Sequence, residues 1–356
     1  MTLLNTVALV LLVLLCVSLA SYLRRARSRS LGFHWRGDRR RDSRKEWARF
    51  RDFLSQHGLA LHSYPEYHNA PRIPIPSAPS PFHPQDCEDF VFRIRSYSCP
   101  GRTGRGSWRN PTAVTHLALD SSGREVIIKA VPPGSFEAQI LERLATSPLR
   151  DHPENHTIPV VSILRGDHAT FLVQARWGDR IATQEPSPLS FWAGKQAYQL
   201  LQGLTFMHEH GIAHGDIYPM NIVCNFTALR TGRPCQFFEE FKTSASYRLA
   251  FIDFGESTQL DGIGPHRISC PGRRRGPPSE FRAPELDDDR FFDPFSADVF
   301  SLGRLLLDLD PPVEIPVAYQ TLLDDMTRRN PRDRPTARVA FERLQALNEN
   351  HKKHWV

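Results

Sequence analysis

The chain has 356 residues and a formal net charge of +6. This length accommodates one large two-lobed domain or two small ones with extensions, and it excludes a short disulfide-stapled scaffold. The segment from Arg24 to Arg51 holds twelve basic and three acidic residues, so its net charge is +9 and that of the remainder is −3. Because the positive charge is confined to one segment, it does not indicate a nucleic-acid-binding domain, and we expect no nucleic-acid partner.

Six cysteines are spread along the chain without a C-x-x-C pair or a spacing typical of metal sites. They are Cys16, Cys87, Cys99, Cys224, Cys235 and Cys270. A chain of this length buries enough surface to fold without disulfides. We therefore interpret the cysteines as reduced thiols of a cytosolic domain.

The N-terminal residues 1–23 contain no charged side chain, and Val7–Val17 is wholly apolar. About twenty such residues span a hydrocarbon core of ~30 Å, and the run of arginines that begins at Arg24 would stay on the cytoplasmic side. We predict a transmembrane anchor over residues 1–23 and a single-pass membrane protein with its C-terminal part in the cytosol. The alternative is a cleaved signal peptide, with Ser18-Leu19-Ala20 as its cleavage site.

A basic and then proline-rich juxtamembrane linker is predicted over residues 24–85. Its basic part could contact anionic lipid headgroups or could be a solvated flank. Apolar residues recur at helical spacing around Arg44–His57, which predicts a short amphipathic helix there. The seven prolines between residues 64 and 84 indicate an extended chain.

The globular part begins near Asp86. Alternating or apolar runs predict five strands: Phe90–Ile94, Thr112–Leu119, Glu125–Val131, Pro159–Leu164 and Thr170–Gln174. Helical spacing predicts Ser135–Leu144, Phe191–His210 and further helices after Pro284. Small strands followed by helices predict an α+β domain over residues 86–350. It would have a β-rich N-lobe to about residue 175, a larger helical C-lobe from about 176, and an active cleft between them.

Two short polar loops contain the candidate catalytic and metal-binding residues. Ile212–Ile222 reads I-A-H-G-D-I-Y-P-M-N-I and contains Asp216 and Asn221, whereas Ala250–Ser257 reads A-F-I-D-F-G-E-S and places Asp253 after an apolar run. Phosphoryl transfer needs a carboxylate that orients the attacking hydroxyl and hard oxygen ligands for Mg²⁺. The pair of H-x-D-x-x-x-x-N and D-F-G resembles the catalytic core of the protein-kinase superfamily.

The resemblance covers about Phe90–Leu347 and looks most like the divergent protein-kinase-like domains abundant in fungi. It implies a two-lobed protein-kinase-like fold, and a site that uses ATP and Mg²⁺ to phosphorylate a protein substrate. In that site Asp216 would orient the substrate hydroxyl and accept its proton. Asn221 and Asp253 would be the Mg²⁺ ligands.

The resemblance also implies the nucleotide-binding residues. Lys129, in V-I-I-K-A, would contact the ATP phosphates, because a lysine among Val and Ile is costly to bury unless it meets an anion. Glu137, eight residues on, would hold Lys129 in place. Gln174, at the position equivalent to the gatekeeper, and Ala175 are assigned to nucleotide binding.

Further motifs resemble the parts of the family that support the site. His214 and Phe254 resemble the residues that pack the two loops together. Glu285 of the A-P-E motif would pair with Arg334, because a buried carboxylate needs such a partner. Asp298, in D-x-F-S-x-G, would accept hydrogen bonds from the catalytic-loop backbone.

The sequence departs from the family at three places. The candidate glycine-rich loop, Gly101–Gly106, reads G-x-x-G-x-G and ends 23 residues before Lys129, which is further than the family spacing. Gly215 stands where many kinases have the arginine that binds an activation-loop phosphate, so we expect activity that does not depend on loop phosphorylation. Tyr218 replaces a lysine, and Pro278 its threonine partner, which predicts slow turnover.

Three functions are compatible with these residues. The first is a membrane-anchored protein kinase acting on Ser/Thr hydroxyls, which the A-P-E motif favours. The second is a small-molecule phosphotransferase similar to aminoglycoside and choline kinases, which share H-G-D-x-x-x-x-N. The third is a non-catalytic pseudokinase scaffold, which the degenerate glycine loop and Tyr218 favour.

Overall fold

The computed structural model describes residues 43–61, 95–97, 114–177, 191–228, 247–260, 276–287, 291–309 and 316–351. The helices in these ranges are α1 Ser43–Ala48, α2 Arg51–Gln56, α3 Phe136–Leu144, α4 Phe191–Glu209, α5 Pro294–Leu309, α6 Val317–Met326 and α7 Ala337–His351. The strands are β1 Ala60–Leu61, β2 Arg95–Tyr97, β3 Thr115–Leu119, β4 Glu125–Val131, β5 Val160–Arg165, β6 Thr170–Ala175, β7 Ile212–Ala213, β8 Ile222–Cys224, β9 Phe226–Ala228, β10 Leu249–Phe251 and β11 Thr258–Gln259.

The chain divides into two units. Unit 1 consists of Met1–Tyr67, Trp108–Ser135 and Ser162–Val173. Unit 2 consists of His68–Ser107, Phe136–Val161 and Gln174–Val356. Strands β5 and β6 therefore each begin in one unit and end in the other.

A five-stranded sheet in the order β1-β3-β4-β6-β5 organises unit 1. Strands β3 and β4 form an antiparallel hairpin, whose turn is fixed by Asp120. The Asp120 carboxylate accepts hydrogen bonds from the backbone N–H groups of Ser122 and Arg124, each at 2.9 Å. Aspartate favours such turns because its short side chain can replace a backbone acceptor.

The hairpin register assigns its residues to two faces of the sheet. His116 pairs with Ile128, and both are buried on one face. Thr115 pairs with Lys129, so Lys129 lies on the opposite face, where it is half-buried. Residues alternate between faces along a strand, so the burial of His116 and Ile128 requires a covering element on their side.

The N-terminal helices α1 and α2 cover that face. The Trp47 ring lies 5.2 Å from the His116 ring and 6.3 Å from the Phe171 ring, between centroids. Trp47 and Leu54 are 1% and 0% exposed. The described part of the segment assigned by sequence to the linker, residues 43–61, is therefore packed in unit 1.

The amphipathic helix predicted around residues 44–57 is broken into α1 and α2. At the break, the N–H groups of Arg49 and Phe50 donate to the carbonyls three residues earlier, at 3.3 and 3.1 Å. Such bonds tighten the last turn of a helix. Strand β1 follows α2, and its Ala60 pairs with Leu119 of β3, so the segment also completes the sheet.

Unit 2 is built around the long helix α4. Helix α7 packs along it, with the rings of Tyr198 and Phe341 5.0 Å apart. On another side a Cβ atom at Gly203 would lie 2.6 Å from the Cβ of His156, so only glycine permits this close approach. Helix α5 also packs against α4.

A parallel pairing within unit 2 joins two segments far apart in sequence. Strand β2 pairs with β9, with Arg95 opposite Phe226 and Tyr97 opposite Ala228. The predicted strand Phe90–Ile94 and the candidate glycine-rich loop Gly101–Gly106 lie outside the described residues. Strand β9 lies near the start of the long stretch of sequence between Asn221 and Asp253, and β2 pairs with its backbone.

The expectation of a fold with an N-terminal transmembrane helix is corrected to an α+β fold. In the described part of the chain, no helix combines the length and the apolar character needed to cross a membrane. The single-pass membrane location depended on such a helix and is corrected with it. Residues 1–23, to which the span was assigned, lie outside the described residues, as does most of the basic segment Arg24–Arg51, for which lipid contact was one of two alternatives.

Buried His156 gives unit 2 a pH-dependent stability. Burial, and secondarily the charge of Arg248, lowers the pKa of His156 from 6.5 to about 4. The unfolded chain therefore binds this proton at higher pH than the folded chain does. The stabilisation is fully present above pH 6.5 and is lost as the pH falls from there to about 4, by roughly 3 kcal/mol in all.

We expect His156→Gln to flatten this dependence, because the new amide does not titrate. Between pH 7 and pH 4.5 the free energy of unfolding should fall by about 2–3 kcal/mol less in the variant than in the parent. Urea unfolding at the two pH values measures the difference. The exposed His168→Gln serves as a control with the parent's slope, and an equal slope for His156→Gln would contradict the assignment.

Candidate active site

A short antiparallel hairpin brings the two polar loops side by side. Strands β8 and β10 pair with Ile222 opposite Phe251. One step further, the N–H of Ile252 donates to the carbonyl of Asn221 at 3.0 Å. Asn221 and Asp253 therefore lie at the same end of this two-stranded sheet.

Asn221 fixes the carboxylate of Asp216. Its side-chain Nδ2 donates to Asp216 Oδ2 at 2.8 Å and to the Asp216 carbonyl at 2.9 Å. The 3₁₀ turn Pro219–Asn221 sets the spacing, with the N–H of Asn221 donating to the carbonyl of Tyr218 at 2.9 Å. Proline suits the first position of such a turn because its missing N–H would have no partner there. The carboxylate is therefore held by a buried side chain.

Asp253 has an unusual backbone conformation. Its φ of 67° and ψ of 73° lie in the left-handed region, and no other non-glycine residue in the described ranges has a positive φ. Such strain costs about 1–3 kcal/mol and persists where the surroundings impose it, which is common at functional sites. The Asp253 side chain is exposed, whereas Phe254 beside it is buried.

His214 connects the two loops through both of its ring nitrogens. Nδ1 accepts from the N–H of Asp216 at 3.3 Å, so Nε2 carries the proton and donates to the carbonyl of Ile252 at 3.1 Å. The His214 ring lies 4.9 Å from the Phe254 ring and is fully buried. These contacts confirm the predicted packing of His214 and Phe254.

Asp298, in α5, anchors the loop that carries Asp216. Its Oδ2 accepts from the N–H of His214 at 2.6 Å and its Oδ1 from the N–H of Gly215 at 2.8 Å. Oδ2 also contacts His208 Nε2 at 3.2 Å. The predicted hydrogen bonds from Asp298 to the loop backbone are thus confirmed, and they are buried.

The predicted pair of Glu285 and Arg334 is also confirmed. Nη1 and Nη2 of Arg334 donate to the two carboxylate oxygens of Glu285 at 2.6 and 2.8 Å. Arg334 further donates to the carbonyls of Ser296, Arg328 and Arg329. The Arg334 side chain is 0% exposed, and the carboxylate of Glu285 balances its positive charge inside the protein.

The predicted nucleotide-binding residues are divided between the two units. Lys129 belongs to unit 1, whereas Glu137, Gln174 and Ala175 belong to unit 2 with the polar loops. Glu137 is buried in α3, and this helix packs against the 3₁₀ turn that follows Asp253. Gln174 and Ala175 are buried at the end of β6, where the N–H of Ala175 donates to the carbonyl of Pro159 at 3.0 Å.

Gly215 is a point of close backbone approach between the two polar loops, whereas the sequence alone presents it as the absence of an arginine. Its φ is +77°, and a Cβ atom there would lie 2.6 Å from the carbonyl oxygen of Glu256. The two polar loops approach so closely that no side chain fits between them. A single glycine followed by aspartate gives no sequence signal for such an approach.

We expect Gly215→Ala to destabilise the protein more than Gly123→Ala does. Both glycines have φ near +75°, but a Cβ atom at Gly123 meets nothing within 4 Å. Each substitution carries the left-handed penalty of about 1 kcal/mol, and the contact with Glu256 adds about 1–3 kcal/mol at Gly215. Denaturant unfolding of the two variants measures the difference, and equal losses would show that the loops can separate without cost.

A magnesium site is not recognisable from clustered ligands alone. Within the ranges that the structure describes, no group of three or more His, Cys, Asp or Glu side chains is placed to hold a metal ion. Asn221 and Asp253 supply one amide and one carboxylate at the same end of the hairpin. Their suitability for a metal therefore depends on oxygen ligands that a substrate would add.

Comparison with known proteins gives a distant and partial similarity. No family model matches the chain. A stretch of 157 residues is 29% identical to a protein of Eremothecium gossypii described as "Probable serine/threonine-protein kinase HAL5-like". The match covers 42% of this chain and spans 20% of the length of that relative. In part of its length, the chain is thus distantly similar to a protein described as a probable serine/threonine-protein kinase.

Proposed function

We propose that the chain transfers a phosphoryl group from ATP to serine or threonine hydroxyls of a protein. The observation that carries the proposal is the joint position of three polar residues. Asn221 holds the carboxylate of Asp216 by a hydrogen bond of 2.8 Å, and Asp253 follows on the paired strand. Phosphoryl transfer is catalysed mainly by positioning and by electrostatic stabilisation, which such an arrangement supplies. The distant similarity to a kinase supports the same chemistry.

In this proposal Asp216 is the catalytic residue that meets the acceptor. One oxygen of its carboxylate accepts from Asn221, so the orientation of the group is set before the acceptor arrives. The carboxylate orients the hydroxyl toward the phosphate and accepts its proton as the oxygen attacks. Asp298 and His214 act through the backbone and do not contact the reacting atoms.

Asn221 and Asp253 fit the requirements of Mg²⁺. The amide nitrogen of Asn221 is committed to Asp216, so the amide oxygen is the atom that it can offer to a cation. The Asp253 carboxylate is exposed at the end of the strand. Mg²⁺ is commonly bound by one or two carboxylates together with substrate phosphates and water, so two protein ligands suffice. When bound, the ion would neutralise charge on the phosphates.

We propose that Lys129 contacts the phosphates of ATP and that Glu137 sets its position. Lys129 follows Ile127 and Ile128 on a strand, where an ammonium group is costly without an anionic partner. Glu137 is buried on the helix that packs against the turn after Asp253, within the unit that carries the polar loops. Gln174 and Ala175 are proposed to line the nucleotide site.

Two other functions remain outcomes of the test. The small-molecule phosphotransferases share H-G-D-x-x-x-x-N, but the buried pair of Glu285 and Arg334 favours the protein-kinase branch, because those enzymes generally lack the A-P-E segment. The scaffold is favoured by Tyr218, because an aromatic side chain cannot neutralise phosphate charge as a lysine does.

Incubation of the full chain with labelled ATP and Mg²⁺ separates the three. We expect label on protein acceptors with the parent chain and no label with Asp253→Asn. Asparagine is the matched substitution, since it tolerates the left-handed backbone at this position. ATP consumption only with a small aminoglycoside or choline-like acceptor would favour a small-molecule phosphotransferase. A complete lack of nucleotide binding would favour the non-catalytic scaffold.

A further inference from the structure

Residues 276–287, here called the acceptor segment, lie beside the loop of Asp216. A Cβ atom at Gly276 would lie 3.2 Å from Nη1 of Arg282 and 3.7 Å from the carbonyl oxygen of Gly215. The φ of Gly276 is +52°, which also favours glycine. The backbone at Gly276 is therefore held between the loop and the guanidinium of Arg282.

Arg282 is itself fixed on the other side. Its Nε donates to Asp287 Oδ1 at 2.9 Å, and its Nη2 donates to the carbonyl of Leu286 at 3.3 Å. The side chain of Arg282 is 16% exposed. The guanidinium thus binds the end of the acceptor segment and lies beside Gly276 at its beginning, in a planar geometry that a lysine could not reproduce.

A small pocket opens beside Gly215, lined by Gly215, Glu256, Gly276, Arg282 and Asp298 among others. The Asp298 carboxylate in this lining already accepts hydrogen bonds from the backbone N–H groups of His214 and Gly215. The Arg282 guanidinium already donates to Asp287 and to the carbonyl of Leu286. The arginine and the aspartate of this lining are therefore engaged within the unmodified chain, without a phosphate.

A second contact joins the acceptor segment to the same loop. The ring of Tyr218, two residues after Asp216, lies 6.5 Å from the ring of Phe281 at an angle of 40°. Phe281 is 7% exposed and its N–H donates to the carbonyl of Pro278 at 2.9 Å. Aromatic pairs at this separation attract each other beyond the area that they bury. The contact joins the loop and the segment without a lysine or a threonine.

We propose that Arg282 and Tyr218 are positioning residues that hold the acceptor segment against the catalytic loop, so that the site is assembled without phosphorylation of the segment. The expected effect on acceptor kinetics rests on the proposed function, whereas the expected order of the acceptor segment does not. The acceptor segment would be ordered in the unmodified chain. An acceptor would then meet a preformed surface beside Asp216.

Hydrogen exchange in the full chain tests the structural part. Arg282→Gln should raise the exchange rate of amides in residues 276–287 by about 10-fold or more, because a charge-assisted link is lost. Tyr218→Ala should raise it as well, whereas Tyr218→Phe should not, since the ring is retained. Arg338→Gln, which removes an exposed arginine paired with Glu209, is the matched control and should leave this segment unchanged.

Kinetics of the same variants test the functional part. With a protein acceptor, Arg282→Gln should raise the KM for the acceptor about 10-fold and leave the KM for ATP unchanged. Phosphatase treatment of the parent chain should change neither its activity nor its exchange. Parent-like exchange in both Arg282→Gln and Tyr218→Ala, or a large loss of protection after phosphatase treatment, would overturn the inference. A parent chain that transfers no phosphate but shows the expected exchange changes would refute the proposed function alone.

Discussion

Asp216→Asn is expected to lower the rate of phosphoryl transfer by about 10²–10⁴-fold, the usual contribution of a general base. The substitution is isosteric, and an amide oxygen can still accept the hydrogen bond from Asn221 Nδ2, which is 2.8 Å long in the parent. The loop should therefore keep its conformation while losing the group that accepts the proton. We expect ATP binding and the free energy of unfolding to change little.

Single-turnover transfer from labelled ATP measures the effect of Asp216→Asn most cleanly, because product release does not contribute. Asp308→Asn, which removes an exposed carboxylate on α5, is the matched control and should retain the parent rate. A rate for Asp216→Asn within about twofold of the parent would remove Asp216 from the chemistry, since even weak general bases contribute more. The arrangement with Asn221 would then be structural only.

Arg334→Ala should lower the free energy of unfolding by about 3–5 kcal/mol, as for other broken buried ion pairs. The substitution leaves the Glu285 carboxylate, whose side chain is 14% exposed, without its bidentate partner. It also removes the donor to the carbonyls of Ser296, Arg328 and Arg329. The loss of packing against the Phe300 ring, 4.7 Å from the guanidinium carbon, adds to the effect.

Comparison with an exposed ion pair tests whether burial explains the large loss of stability expected for Arg334→Ala. Arg338 donates to Glu209, and their side chains are 40% and 45% exposed. Exposed pairs contribute about 0–1 kcal/mol, so Arg338→Ala should be nearly neutral. Denaturant unfolding of the two variants provides the comparison. Losses of equal size would show that the pair of Glu285 and Arg334 is as weak as a surface contact.

Regular elements with a strong sequence period were predictable. The strand Glu125–Val131 was predicted with the bounds that the structure has, and α3 begins one residue later than predicted. The helix predicted over Phe191–His210 ends at Glu209. In these stretches the apolar spacing, the local propensity and the burial agree, so the pattern determines the structure.

Elements whose position depends on distant partners were not predictable. Strand β1 has two residues, and only its pairing with β3 defines it as a strand. The pairing of β2 with β9 joins residues more than a hundred positions apart in a parallel arrangement. Short strands carry too few alternating residues to specify a register. The sequence therefore assigned residues 43–61 to a linker, although Trp47 and Leu54 are buried in unit 1.

The sequence names the residues of the candidate site but does not predict its backbone. The spacing of Asp216, Asn221 and Asp253 predicts a phosphoryl-transfer site, and their catalytic and metal-binding roles stay predictions. The hairpin pairing brings their loops together. The left-handed conformation of Asp253 and the close approach at Gly215 depend on both loops at once. A sequence pattern describes one segment at a time, so the approach of two backbones has no local signature.

Calorimetric titration of the full chain with ATP, with and without Mg²⁺, tests the central claim most directly. The parent should bind ATP more tightly when Mg²⁺ is present, because Asn221 and Asp253 would bind the ion together with the phosphates. Asp253→Asn should bind ATP with the same affinity in both conditions. Undetectable ATP binding by the parent, or an Asp253→Asn variant that keeps the full Mg²⁺ effect, would contradict the proposed site.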